Sequence, residues 1–168
     1  MSFQIANEDK SMQIISPVRV TRSYLQKLLA PPDVVFPLLC PVREVEWAAG
    51  WHPKEVYSAS GVAERDCIFV MPGEPVEAIW VVSRYKPHSF QIEFVKVTPG
   101  FTVGRIEIGL WQNAEGGSDA EITYSYTALS REGETFVHNF TAAHYQQFMR
   151  EWENELNHFL KTGARLPR

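Results

Sequence analysis

One amphipathic segment, residues 141–162, sets the strongest constraint on what this chain can fold into. Its apolar side chains recur at the 3.6-residue spacing of an α-helix. Thr141 is a suitable N-cap, Lys161 lies in the last turn, and Gly163 suits the position after the helix. The predicted helix is ~30 Å long and needs a large apolar surface to pack on. Its apolar stripe consists of Tyr145, Phe148, Met149, Trp152, Leu156, Phe159 and Leu160.

The residues before this segment, 55–129, change to a period of two and can supply that surface. Ile106, Ile108 and Leu110, for example, alternate with polar or small residues, as in a strand with one buried face. Turns rich in proline and glycine separate the runs, and such short connections favour an antiparallel meander. The six predicted strands are 56–60, 67–71, 78–85, 90–97, 102–111 and 120–129.

The first part of the chain predicts one more strand and two short helices. Apolar residues alternate over 17–29, and the prolines at 31 and 32 end this strand. Short apolar helices are predicted at 34–39 and 43–50. The order predicts an α+β fold in which a curved seven-stranded antiparallel sheet wraps around the C-terminal helix. We expect a flexible tail at 1–12 and a single domain at 13–168.

Charge and composition exclude several classes of protein. The 168-residue chain has a net charge of −4 and no run of Lys or Arg, which argues against a nucleic-acid partner. No apolar segment approaches the ~20 residues of a membrane span, and the first ten residues do not read as a signal peptide. We therefore expect a cytoplasmic protein. Cys40 and Cys67 are expected to be buried free thiols.

No motif for a metal, a cofactor or a phosphate group is present. The sequence contains no HExxH, no GxSxG and no glycine-rich phosphate loop. His144, Glu151, Glu155 and His158 fall on the polar side of the C-terminal helix, where a solvent-facing position is the simplest interpretation. We therefore expect no metal ion and no cofactor.

Several stretches together resemble the START-like superfamily, also called SRPBCC, whose members share the helix-grip fold. Residues 30–36 (Ala-Pro-Pro-Asp-Val-Val-Phe) resemble its junction between the first strand and first helix. Trp51-His52-Pro53 resembles the W-x-P that often follows its second helix. An uncharacterised bacterial branch is the most similar, over residues 38–51, 78–85, 126–130 and 152–163. The superfamily also includes polyketide cyclases and birch-pollen-type allergens.

The resemblance implies a hydrophobic cavity between the sheet and the C-terminal helix. Aromatic walls with a few polar groups are typical of sites for apolar ligands, and the chain has 5 Trp, 6 Tyr and 10 Phe. A solid aromatic core is the alternative. The residues expected to contact a ligand are Trp47, Trp51, Phe69, Trp80, Ile92, Phe94, Ile106, Ile108, Tyr124, Tyr126, Tyr145, Phe148, Met149 and Trp152.

Two ionisable residues are weak candidates for catalysis. Glu44 lies near Trp47 and Trp51, and a carboxyl group half-buried against indole rings has a raised pKa and can act as a general acid or base. Arg84 could meet a ligand carboxylate or enolate if it points inward. For Glu44 the alternatives are a local pair with Arg43 and a position that simply faces water, and for Arg84 the alternative is the outer face of the sheet.

Three functions are therefore compatible with the sequence. The first is binding of a small or medium hydrophobic molecule, such as a lipid, a fatty acid or an aromatic polyketide. The second is an enzyme of the polyketide cyclase or hydrolase type that uses the same cavity. The third is a protein-interaction module. The protein is expected to be a monomer or a homodimer.

Overall fold

Residues 11–167 of the computed structural model form one seven-stranded antiparallel sheet and a long C-terminal helix. The sheet order is β1-β7-β6-β5-β4-β3-β2, so β1 and β2 are its edges. Short helical segments lie between β1 and β2, as predicted, and the predicted helix-grip architecture is confirmed. The strands are β1 (Arg19–Leu28), β2 (Glu55–Tyr57), β3 (Ile68–Met71), β4 (Ala78–Lys86), β5 (Gln91–Thr98), β6 (Thr102–Gln112) and β7 (Ser118–Ala128). The helices are α1 (Pro32–Val35), α2 (Arg131–Asn139) and α3 (Ala142–Thr162), with 3₁₀ turns at Phe36–Leu39 and Glu44–Glu46.

The C-terminal helix α3 begins and ends where its capping residues predict. The Thr141 side chain accepts a hydrogen bond from the backbone N–H of His144, and Gly163 adopts a left-handed φ of 69°. Tyr145, Met149 and Leu156 of the apolar stripe are buried. The sequence-predicted helix is therefore confirmed to within one residue.

Hydrogen bonds from α3 to the edge strand β1 hold the helix across the concave face of the sheet. The N–H of Lys27 donates to the Glu153 carboxylate (2.7 Å), and the N–H of Leu29 donates to Oδ1 of Asn157 (3.0 Å). Nδ2 of Asn157 donates to the Lys27 carbonyl (2.9 Å), and Nε2 of the buried Gln26 donates to the Met149 carbonyl (3.0 Å). Backbone groups of an edge strand are thus satisfied by helix side chains rather than by another strand.

Two indole groups hold together the segment between β1 and β2. Nε1 of the fully buried Trp47 donates to the carbonyl of Leu38 (2.9 Å). Nε1 of Trp51 donates to the carbonyl of Pro41 (2.8 Å). The first bond joins the residue after the second 3₁₀ turn to the first turn, and the second bond joins Trp51 to the segment between the two turns.

Helix α2 is an element that we did not predict from the sequence. Ser130 caps it by accepting a hydrogen bond from the N–H of Gly133 (3.1 Å). Gly133 is required by packing, because a Cβ atom there would lie 2.0 Å from the carbonyl oxygen of Phe101. The ring of Phe136 packs edge-on against Tyr126 at 4.9 Å between centroids. A glycine inside a nine-residue helix weakens the helical signal, which explains the omission.

Other expectations have mixed outcomes. Residues 1–10, most of the predicted tail at 1–12, lie outside the described residues. Cys40 and Cys67 are free and buried, as predicted. None of the helices within residues 11–167 is long and apolar enough to cross a membrane.

Candidate ligand-binding cavity

A cavity of about 150 Å³, here called the main cavity, lies between the concave face of the sheet and α3. Most of the exposed surface inside it is apolar. Three structural units contribute walls: strands β4 to β7, the segment after the Glu44–Glu46 turn, and one face of α3. Its lining residues are Glu44, Ala48, Ala49, Trp51, Trp80, Phe94, Ile106, Ile108, Tyr124, Phe148, Glu151, Trp152 and Glu155.

A second space of about 240 Å³ adjoins the main cavity and is here called the Lys96 chamber. The two spaces share Trp51, Trp80, Tyr124 and Phe148 as walls. The Lys96 chamber is completed by Lys96, Thr98, Tyr126 and residues 71–78, which end β3 and connect it to β4. Because these four aromatic walls border both spaces, a ligand ring held between them would reach both.

The strand register places these walls in two rows across the sheet. Trp80 pairs with Lys96, Lys96 with Gly104, and Gly104 with Tyr126. The next row joins Phe94, Ile106 and Tyr124 in the same way. Side chains that alternate with these face the other side of the sheet. The first row consists of Phe69, Trp80, Lys96, Gly104 and Tyr126, and the second of Val82, Phe94, Ile106 and Tyr124.

Aromatic contacts make the wall at β3 to β5 rigid. The ring of Trp80 lies 5.3 Å from that of Phe69, 5.7 Å from that of Trp51 and 5.9 Å from that of Phe94. These stacked and edge-on geometries are the favourable ones for aromatic pairs. Nε1 of Trp80 is buried and has no hydrogen-bond partner among the described residues. A buried donor without a partner is costly, and this N–H belongs to a residue that lines both spaces.

Glu44 is the buried carboxyl group of the main cavity. Its side chain lines the cavity, and only 5% of the residue is exposed. Burial raises the pKa of Glu44 well above its ordinary value, with no hydrogen bond or cation among the described residues to oppose the shift. Arg43 pairs with Glu46 instead, at 2.9 Å, so the predicted alternative of an Arg43–Glu44 bridge is wrong. A protonated Glu44 can donate a hydrogen bond, or a proton, to a group in the cavity.

Other polar groups of the main cavity lie on β7 and α3. Burial raises the pKa of Tyr124, and the neighbouring Tyr126, Tyr145 and Glu44 raise it further. Its hydroxyl group therefore stays protonated. Glu151 and Glu155 line the cavity on the helix side, and the Glu155 carboxylate accepts from the N–H of Ala49 at 3.3 Å. Glu151 is nevertheless exposed, as predicted, whereas Glu155 is half-buried and our prediction that it simply faces solvent is wrong.

Lys96 supplies the cationic group of the Lys96 chamber. Its Nζ atom lies 5.3 Å from the ring centroid of Trp80 and 5.8 Å from that of Tyr126. Burial lowers the pKa of Lys96 from its ordinary value. Among the residues that the structure describes, no carboxylate lies within ion-pairing distance of it. The two aromatic faces are the partners that hold the charge.

The chain is similar in structure to proteins of known three-dimensional form, although no family model and no curated protein matches its sequence. Norcoclaurine synthase from Thalictrum flavum superimposes with a TM-score of 0.66 at 12% identity, over 96% of this chain and 99% of that one. Ara h 8.0201 gives 0.61 at 10% identity, over 86% and 99%. An uncharacterised protein from Rhizobium leguminosarum gives 0.58 at 12%, over 89% and 99%. This chain has the helix-grip fold of the START-like superfamily. At such low identity the likeness establishes the fold alone.

In this helix-grip chain, most of the residues expected to contact a ligand do line one of the two spaces. Eight line the main cavity, and Tyr126 lines the Lys96 chamber. The other five are packed in the core, each with at most 2% of its surface exposed. The lining set is Trp51, Trp80, Phe94, Ile106, Ile108, Tyr124, Phe148, Trp152 and Tyr126. The core set is Trp47, Phe69, Ile92, Tyr145 and Met149.

The second catalytic candidate, Arg84, lies outside the cavity. Arg84 pairs in register with Glu93 and faces the outer side of the sheet, where its guanidinium group lies 4.0 Å from the Glu93 carboxylate. A register shift between Val82 and Arg84 changes the alternation along β4. Arg84 therefore does not point inward, as its proposed role required. The bulge that turns it outward cannot be recognised from the period of two in the sequence.

Lys96, like Glu151 and Glu155, is a polar residue of the site that the sequence analysis missed. Ile92 and Phe94 predict the inward-facing positions of β5, and continuing the alternation by two residues reaches Lys96. The signal was therefore present in the sequence. Within residues 11–167, no group of three metal-ligating side chains comes together.

Proposed function

We propose that this protein binds a small aromatic molecule between the concave face of its sheet and helix α3. The observation that supports this most is the main cavity, whose walls are largely aromatic and whose Glu44 carboxyl and Trp80 indole N–H have no hydrogen-bond partner within residues 11–167. A few polar groups set into an apolar pocket are what orients a small ligand.

The volume argues for a compact ligand. An apolar protein cavity of about 150 Å³ is able to hold a benzene-sized molecule, and the main cavity has that volume. A long acyl chain would also have to fill the adjoining Lys96 chamber, which contains Lys96 and Glu74, so a lipid or fatty acid is the less favoured ligand. A norcoclaurine synthase of the same fold has been solved in complex with dopamine and hydroxybenzaldehyde, and we expect ligands of similar size here.

The test compares an aromatic and an aliphatic probe. We expect phenylacetamide to bind measurably in isothermal titration calorimetry and 1-octanol to bind at least 10-fold more weakly. Ala48→Leu should lower phenylacetamide affinity at least 10-fold, because Ala48 is a buried wall of the main cavity. Ala143→Leu, at an exposed position of α3, is the matched control. Equal binding by the Ala48 variant and the wild type would place the probe elsewhere and contradict the proposal.

A second function, catalysis of a proton transfer in the same cavity, is favoured by Glu44. A carboxyl group with a raised pKa that borders a substrate-sized space has the properties of a general acid. An NMR titration of the Glu44 carboxyl carbon tests this directly. An ordinary glutamate pKa would remove Glu44 as an acid and leave ligand binding as the function. The protein-interaction alternative stays a prediction.

A further inference from the structure

The two adjoining spaces differ in their charged residues, because only the Lys96 chamber contains an amine, and this difference gives the ligand site a direction. At the main-cavity end lie Glu44, Glu151 and Glu155, and no Lys or Arg is among the lining residues. At the other end lies Lys96, with Glu74 as the acidic residue of that lining. The four shared aromatic walls lie between the two ends. A ligand in this space therefore meets acidic groups at one end, and an amine beside the exposed Glu74 at the other.

The Lys96 ammonium group has no ion-pair partner in the part of the chain that the structure describes. Two aromatic faces contact it, at 5.3 Å from the centroid of Trp80 and 5.8 Å from that of Tyr126. A cation that is partly buried loses hydration, and aromatic rings replace only part of that loss. An anion placed in the chamber would restore the missing interaction through a charge-assisted hydrogen bond.

Gly104 makes this arrangement possible. It lies between Lys96 and Tyr126 in the same row of the sheet. A Cβ atom at this position would lie 2.7 Å from Cε1 of Tyr126. The absence of a side chain lets the Tyr126 ring lie over the sheet and reach Lys96. The amine is therefore positioned by backbone register and by two rigid rings.

We propose that Lys96 is an anion-binding residue and that the ligand of this site is an aromatic acid. Its ring would lie between the shared aromatic walls, and its carboxylate would accept a hydrogen bond from Lys96. The reverse orientation is disfavoured, because it would place the ligand carboxylate near the carboxylates of Glu151 and Glu155. This inference rests on the proposed function and specifies the chemical class of its ligand.

The test uses phenylacetate and its neutral analogue phenylacetamide, which have nearly the same shape. We expect the wild type to bind phenylacetate about 10-fold more tightly, as a hydrogen bond to a charged group provides. Lys96→Met should reduce this preference to less than 2-fold while phenylacetamide affinity stays within about 2-fold. Lys96→Arg should retain most of the preference. Lys86→Met, at an exposed lysine at the end of β4, is the control and should behave as the wild type.

A second measurement needs no variant and so does not depend on the folding of the Lys96 variants. In the wild type, adding phenylacetate should shift the NMR signals of the Lys96 ε-methylene group, and phenylacetamide should shift them less. If both probes bind with equal affinity, the anion subsite is wrong and the proposed function stands. If Lys96→Met retains the preference, another residue binds the anion. If neither probe binds the wild type, both proposals fail.

Discussion

Gly104 faces Tyr126 across the β6–β7 pair so closely that a single methyl group does not fit between them. A Cβ atom built on Gly104 would come within 2.7 Å of Cε1 and 3.0 Å of Cδ1 of the tyrosine ring. The same ring lies 4.9 Å from Phe136 and 5.1 Å from Phe140. The tyrosine therefore has little freedom to move away, and it couples the wall of the Lys96 chamber to helix α2.

Gly104→Ala should destabilise the fold and disturb the Lys96 chamber. Overpacking of this kind costs ~1–3 kcal/mol, which chemical denaturation would measure. Gly109→Ala is the matched control, because it lies in the same strand and a Cβ atom there meets nothing within 4 Å. We expect the control to change the free energy of unfolding by less than ~0.5 kcal/mol. Equal effects of the two substitutions would contradict the close packing of Tyr126 on Gly104.

Asn157→Ala should weaken the attachment of α3 to the sheet. The Asn157 side chain makes two backbone hydrogen bonds, one to Lys27 of β1 (2.9 Å) and one to Leu29, the residue after β1 (3.0 Å). We expect a loss of ~1–2 kcal/mol in the free energy of unfolding. Asn154→Ala, at an exposed position of the same helix, controls for the change in helix propensity. A stability loss no larger than that of the control would mean that the two bonds contribute nothing in solution.

Much of the fold could be predicted from the sequence because the relevant signals are local. The capping residues Thr141 and Gly163 delimit α3 to within one residue. The period of two predicts the inward faces of β6 and β7, since those strands pair without a register shift. Helix α2 was missed because Gly133 is needed for packing against Phe101 and lowers the helical signal.

The cavity was harder to predict because its lining depends on how far apart packed elements lie. Trp47 and Trp152 are both aromatic residues next to polar ones, and their rings lie 5.4 Å apart. Nevertheless, Trp47 is fully buried and Trp152 lines the cavity. Spacing along the chain does not distinguish them. The position of Arg84 depends on a bulge in β4, which leaves no mark in the period of the sequence.

Trp152→Ala and Trp47→Ala should separate these two roles. Trp47 is fully buried and hydrogen-bonded to Leu38, so its removal should cost ~3–5 kcal/mol. Trp152 borders the main cavity, so its removal should cost less and should change the affinity for phenylacetamide. Chemical denaturation and calorimetry measure the two effects. A loss as large for Trp152 as for Trp47, in a wild-type protein that binds no aromatic probe, would indicate a solid core.

Glu44→Gln should make the fold less sensitive to alkaline pH. Burial raises the pKa of Glu44 in the folded protein above its value of about 4.5 in an unfolded chain. Above that value the folded state therefore binds a proton that the unfolded state has released, and the contribution of Glu44 to stability decreases as pH rises. The decrease is at most ~1.4 kcal/mol per pH unit until Glu44 ionises in the folded state. Glutamine carries no such proton.

We expect wild type and Glu44→Gln to have similar free energies of unfolding near pH 4 and the variant to be the more stable near pH 8, in urea denaturation series. Glu46→Gln, on an exposed side chain of the same turn, is the control for the loss of a carboxylate. A difference between wild type and Glu44→Gln that stays constant from pH 4 to pH 8 would mean that Glu44 is not held in an apolar environment.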